Sequence, residues 1–174
     1  MASKTLMTIE QLEQLPEDGN KYELDEGELV AQRTPGRKHE VVKMNVAGSL
    51  FVYGRESAKG RAFCETGYVL GPATMRKPDV SFELAEHPEN PDTQESPDLC
   101  VEIVSWETAK DLERKIRQYF ASGARAVWVL YPDSEALHVF NSPNSVRILT
   151  VTDTLEMPDL LPGYSVPVKS LFAD

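Results

Sequence analysis

The chain contains only two cysteines, Cys64 and Cys100. That is too few for a disulfide framework and fits buried free thiols in a reducing compartment. Its longest unbroken apolar run, Ala126 to Tyr131, falls far short of the roughly 20 residues that cross a bilayer, so no membrane partner is expected. The opening Met1-Ala2-Ser3-Lys4 lacks the apolar stretch of a secretory signal, and the expected location is the cytoplasm. Histidine is scarce, with three in the chain. No Cys/His zinc spacing, phosphate-binding glycine loop or dinucleotide fingerprint occurs, and there are no repeats. Basic residues are outnumbered, 18 against 28 acids, for a net charge of −10. This argues against strong non-specific nucleic-acid binding, which depends on neutralising phosphates.

What charge there is lies unevenly. Residues 33–61 hold Arg33, Arg37, Lys38, Lys43, Arg55, Lys59 and Arg61 against Glu40 and Glu56, a local net of +5. An acidic protein can therefore still offer phosphate one basic helix. The same residues also suit a solvated helix face. At 174 residues the chain has the length of a single domain. Its core is expected over about residues 8–151, with an irregular tail over 152–174 and a short last turn at Lys169 to Phe172.

Local patterns place the elements. Thr8 and Gln11 have capping-box spacing for a short first helix. Lys21 to Asp25 and Glu28 to Gln32 read as a hairpin across Glu26-Gly27. A long helix is expected from Lys38 to Glu56, with Val42 and Val46 on one face and Met44, Leu50 and Phe51 filling others. Arg61 to Glu65 and Tyr68 to Leu70 suggest short strands around Thr66-Gly67, and Lys77 to Glu83 another strand. The acidic, proline-rich stretch Glu86 to Pro97 reads as a loop. Leu99 to Val104 is almost continuously apolar, as a strand covered on both faces would be. Thr108 caps a helix that runs to Ser122, with Leu112, Ile116, Tyr119 and Phe120 as its core stripe. Ala124 to Tyr131 completes a strand–helix–strand crossover. Glu135 to Phe140 and Val146 to Val151 form an antiparallel pair.

Two acids stand inside or beside these apolar runs, where an ionised carboxylate is costly unless a cation or hydrogen bonds meet it. Glu102 lies mid-strand and shares a face with Cys100 and Val104. It is either an acid paired with a structural lysine or a metal ligand or general base. Asp79 opens the preceding strand, where it can equally face water. Lys115 borders the stripe of the following helix. It can reach the sheet's edge along its aliphatic stem or simply pair with exposed Asp111. Two acids and a lysine make chemical sense together. Mg2+ binds through one or two carboxylates plus substrate phosphate, and a lysine beside it can stabilise developing negative charge.

Pro78-Asp79, Glu102-Ile103-Val104-Ser105 and Lys115 together resemble the PD-(D/E)XK nuclease superfamily. More closely, the chain resembles its small stand-alone family of restriction endonucleases, first catalogued as a domain of unknown function. Tyr22 to Leu29, His39, Pro78 to Phe82, Pro97 to Ser105 and Gly123 to Leu130 match that family's blocks in order. The resemblance implies an α/β (α+β) fold with a central mixed sheet flanked by helices and a site at the sheet's edge. It implies that Asp79, Glu102 and the Ile103 main-chain carbonyl bind Mg2+ (or Mn2+), and that Asp79, Glu102 and Lys115 are the catalytic set acting on DNA. Glu23 and His39 would support the ligands from behind or contact phosphate. Two positions depart from the pattern. Val104 stands where the superfamily carries its lysine, a role that passes to Lys115 with Lys110 as competitor. Trp106 stands where proline is more usual. A homodimer is expected, since a two-fold pair of sites meets the two-fold duplex. The alternative is a catalytically silent module on the nuclease fold, used for binding or assembly.

Overall fold

A computed structural model describes residues 6–16, 18–87 and 95–174. Thr8 caps α1 (Ile9–Glu13) through the expected reciprocal bonds with Gln11. β1 (Lys21–Asp25) and β2 (Glu28–Gln32) form the hairpin. Its turn uses Glu26 and Gly27, both at positive φ, the backbone that a tight hairpin turn demands. β1 continues into a four-stranded sheet with β4 (Tyr68–Gly71) and β5 (Thr74–Arg76), in the order β2-β1-β5-β4.

The central sheet has six strands. β3 (Gly60–Cys64), β6 (Val80–Leu84), β7 (Leu99–Ile103), β8 (Ala126–Tyr131), β9 (Ala136–Ser142) and β10 (Ser145–Leu149) lie in the order β10-β9-β8-β7-β6-β3. Only β7 and β8 run parallel. α3 (Ala109–Ala121) makes the crossover between them, as a parallel pair requires. The sheet is thus mixed and flanked by helices, in line with the expected fold class.

Alternation along the strands sorts side chains into two cores. Leu99, Val101, Ile103, Trp128 and Leu130 pack towards α2 (Arg37–Ser57) and the C-terminal elements. Cys100, Val127 and Val129 pack towards Leu112, Ile116 and Tyr119 of α3. α2 buries a single stripe, Val42, Val46, Leu50 and Gly54. A Cβ on Gly54 would lie 2.6 Å from the Gly60 carbonyl oxygen, so glycine there lets the helix close onto β3. Met44 and Phe51, expected to fill other faces of a packed helix, are instead exposed, because the sheet covers one side only.

The largest correction concerns the tail. Residues 152–174 are not irregular. β11 (Thr154–Met157) and β12 (Leu161–Pro167) form an antiparallel ribbon, followed by α4 (Val168–Phe172). Leu155, Leu161, Tyr164, Val168 and Leu171 close the main core. A two-stranded ribbon has free outer edges, where proline's missing N–H costs no ladder bond.

Smaller differences have similar causes. β3 and β4 do not flank one shared turn within a sheet, since β3 pairs with β6 and β4 with the unforeseen β5. Cys64, expected to be buried, is exposed, whereas Cys100 is buried. Of the expected loop from Glu86 to Pro97, residues 88–94 lie outside the described residues. No helix among the described residues is long and apolar enough to cross a membrane.

Candidate active site

β6 begins at Val80 rather than at Lys77 as expected, and the reason is chemical. The Ile103 N–H of β7 donates to the Asp79 carboxylate at 2.7 Å. The side chain takes the place that a main-chain carbonyl would fill in a longer ladder. Asp79 is thereby fixed at the end of β6, beside the last residue of β7. His39, buried near the start of α2, places its Nε2 3.3 Å from the same carboxylate oxygen. Burial works against charge on this imidazole, but Asp79 and Glu40 outweigh it and raise its pKa. Its Nδ1 is buried without a hydrogen bond among the described residues, 3.5 Å from Glu40 Oε1.

Glu102 stands one residue before the end of β7, on the α3 face, with 4 % of its surface exposed. Lys115 Nζ approaches its Oε2 to 3.2 Å, and the Tyr119 hydroxyl donates to its Oε1 at 2.6 Å. Lys115 and Tyr119 are one helical turn apart, so both reach the same strand residue. Burial pushes the Glu102 carboxyl up to about 7. Lys115 opposes the rise, while Asp79 and Glu23 add to it. Lys115 itself is buried, yet Glu102 and Glu23 outweigh that burial and raise its pKa. The two sequence readings of this lysine are thereby decided geometrically. It pairs with the acids of the sheet, and Asp111 pairs instead with Arg114. Lys110 is exposed.

Glu23 is not an exposed hairpin acid. It is 1 % exposed, accepts from the Lys77 N–H at 2.9 Å and pairs with Lys115 at 3.3 Å and Arg76 at 3.1 Å. Arg76 in turn meets Asp25 at 2.7 Å and donates to Gln118 at 2.8 Å. This chain of charges locks the small sheet to α3. A second cluster lies on the other flank, where Glu65 holds both Lys43 and Lys21. Burial works to raise the Glu65 carboxyl, but the two lysines outweigh it and hold it below the usual range.

Asp79, Glu102, Lys115 and His39 therefore share one cleft with Glu65 and Trp106. A neighbouring hollow holds Glu23, Asp25 and Arg76, and Trp106 and Lys115 line both. Among the described residues, no three His, Cys, Asp or Glu side chains are grouped as for a metal. Sequence reasoning missed Tyr119, Arg76 and Gln118 as parts of this network. Tyr119 is legible only through its four-residue spacing from Lys115, and Arg76 carries no local signal at all.

The sequence profile of the Uma2 family, described as "Putative restriction endonuclease", matches residues 9–169. The chain belongs to the Uma2 family. A search of curated proteins finds no match. Among solved structures, the chain is similar to the crystal structure of a "putative nuclease belonging to DUF820" from Anabaena variabilis. The TM-score is 0.83 at 19 % identity, over 95 % of this chain and 97 % of that one. At that identity the likeness establishes the fold alone, in agreement with the expected class.

Proposed function

We propose that this chain is a divalent-metal-dependent endonuclease that hydrolyses DNA phosphodiester bonds. The observation that carries the reading is the meeting of Asp79, Glu102 and Lys115 in one cleft, in a family described as "Putative restriction endonuclease". The donor set suits Mg2+ or Mn2+. Two carboxylates leave room for waters and a phosphate oxygen, the usual mode for hard, hydrated cations. Burial, with the neighbouring Asp79 and Glu23 charges adding to it, raises Glu102, a cost that a cation would relieve. The Ile103 carbonyl adds a third oxygen. Strand geometry sends a residue's N–H and C=O to the same edge, and the Ile103 N–H already points at Asp79.

When bound, the cation supplies positive charge against the phosphate and acidifies water near neutral pH. The chain's own residues do the rest. His39 and the Ile103 N–H hold Asp79 in one orientation. Tyr119 holds Glu102. Lys115 brings an ammonium that stays protonated at neutral pH, able to stabilise charge that develops on phosphate oxygens. Glu23 keeps Lys115 in place from behind. The same proposal places the protein in the cytoplasm and pairs two copies. The edge strand β10, with Val146 and Ile148 exposed, offers a surface for that pairing, and a monomer mass in light scattering would rule it out.

Pure protein incubated with plasmid and Mg2+ or Mn2+ is expected to nick or cut it. Glu102→Ala should lower the rate by about a thousandfold. Undiminished cutting by that variant would overturn the assignment. A silent binding module remains the competing reading, favoured by the closed Lys115–Glu102–Glu23 network. It expects no Mn2+ binding heat in calorimetry and no difference between wild type and Asp79→Asn.

A further inference from the structure

We infer that Trp106, backed by Arg33, is a stacking platform for an unpaired base beside the scissile phosphate, so that single-stranded DNA is the preferred substrate. This rests on the nuclease reading above and names its substrate.

The chain has two tryptophans, in opposite situations. Trp128 is fully buried, whereas Trp106 is 38 % exposed. An exposed aromatic alone is unremarkable, but this one lies four residues after Glu102 and lines both halves of the cleft. Its backbone is held. The Glu107 carboxylate accepts from the Ser105 N–H at 3.1 Å and the Trp106 N–H at 3.2 Å. Thr108 then caps α3 directly. The indole thus stands on a short, braced turn between two rigid elements, so little ordering entropy opposes its use.

Arg33 follows β2 and carries its guanidinium 5.3 Å from the indole centroid. It also lines the half of the cleft that holds Asp79 and Glu102. Among the described residues, the other cations lining the cleft are committed to carboxylates, Arg76 to Glu23 and Asp25 among them. Lys21 meets Glu65, Lys115 meets Glu102 and Glu23, and Arg114 meets Asp25 and Asp111. With a net charge of −10, the overall field works against affinity drawn from many phosphate contacts. Stacking supplies affinity without phosphate neutralisation and tolerates any base. It requires an open base face, and in a duplex both faces are covered by neighbouring pairs. An arginine beside an aromatic, next to two acids and a lysine, suits one unstacked nucleotide with its phosphate.

The test reads binding apart from chemistry. Full-length protein in EDTA is titrated with a short oligothymidylate and, separately, with the same strand paired to oligoadenylate, while tryptophan fluorescence is followed. The single strand should quench Trp106, leave the buried Trp128 signal unchanged, and bind about tenfold more tightly than the duplex. Trp106→Ala should lose about tenfold in single-strand affinity, with Trp106→Phe retaining most of it. Arg33→Ala, at an exposed position, provides a second variant whose fold is not at risk. Equal affinity for both forms, or unaltered binding by Trp106→Ala, overturns the inference. A parallel cleavage assay with Mn2+ separates the two proposals. Quenching without cleavage sinks the nuclease and keeps the platform. Cleavage of both forms with equal efficiency, unaffected by Trp106→Ala, sinks the platform and keeps the nuclease.

Discussion

Along β7, Leu99, Val101 and Ile103 enter a core built with α2, α4 and the β11–β12 ribbon, while Cys100 and Glu102 turn the other way, towards α3. The first face collects large apolar and aromatic groups. Trp128 stacks near Tyr164 at 5.8 Å between ring centroids. The second face mixes Leu112, Ile116 and Val129 with Glu102, Lys115 and Tyr119, all buried. One strand therefore serves two environments, dry packing on one side and buried, paired charge on the other. Apolar burial stabilises the fold in proportion to area. Buried ion pairs contribute little net stability, because desolvation offsets their attraction. The α3 face thus holds its charged groups at a cost in stability, and the α2 face is where that cost is offset.

Four substitutions test the contrast. On the apolar face, Trp128→Ala removes a fully buried ring and should destabilise by about 3–5 kcal/mol, read as a shifted denaturant midpoint and independent of pH between 5 and about 8. On the α3 face, Lys115→Gln leaves Glu102 without its cation and should cost about 3 kcal/mol at pH near 8. Its cost should shrink near pH 5, where Glu102 is protonated in both proteins.

Glu102→Gln should act in the opposite direction. The Glu102 carboxyl is raised from an ordinary 4.5 to about 7, so the folded state holds its proton more tightly than the unfolded chain. The stability this contributes is full below about pH 4.5 and is lost as pH rises through about 7. Glutamine mimics the protonated acid. The variant should match wild type at low pH and gain up to about 3 kcal/mol near pH 8, measured as a higher midpoint there alone. Equal midpoints at both pH values would show that Glu102 is not held as described.

The smallest effect belongs to Tyr119→Phe. It removes one buried hydrogen bond to Glu102, should cost about 1 kcal/mol, and should move the Glu102 titration higher, because the tyrosine's donation lowers it. Carboxyl titration by NMR checks this.

Much of the architecture was legible because it follows from local rules. The capping box at Thr8, the hairpin across Glu26-Gly27 and the period of α3 each need only neighbouring residues. The strand–helix–strand unit followed from segment lengths. The β11–β12 ribbon was missed because its prolines outweighed a visible alternation at Thr154 to Met157. The candidate site divided in the same way. Glu102 stood out as an acid inside an apolar strand, and its pairing with Lys115 is now geometric fact. The burial of Glu23, its tie to Arg76 and the grip of Tyr119 depended on contacts between elements distant along the chain.

By itself the sequence determined the capped helices, the first hairpin and the buried central strands, and which residues carry unusual chemistry for their surroundings. Those properties arise from backbone sterics and from the alternation of apolar and polar side chains over a few residues. Only the tertiary structure decided that Asp79 caps the Ile103 N–H, that Lys115 turns inward rather than to Asp111, and that Trp106 lines the cleft. Each of these is a choice among partners, fixed when packing excludes water and makes an unpaired charge or donor too costly to leave.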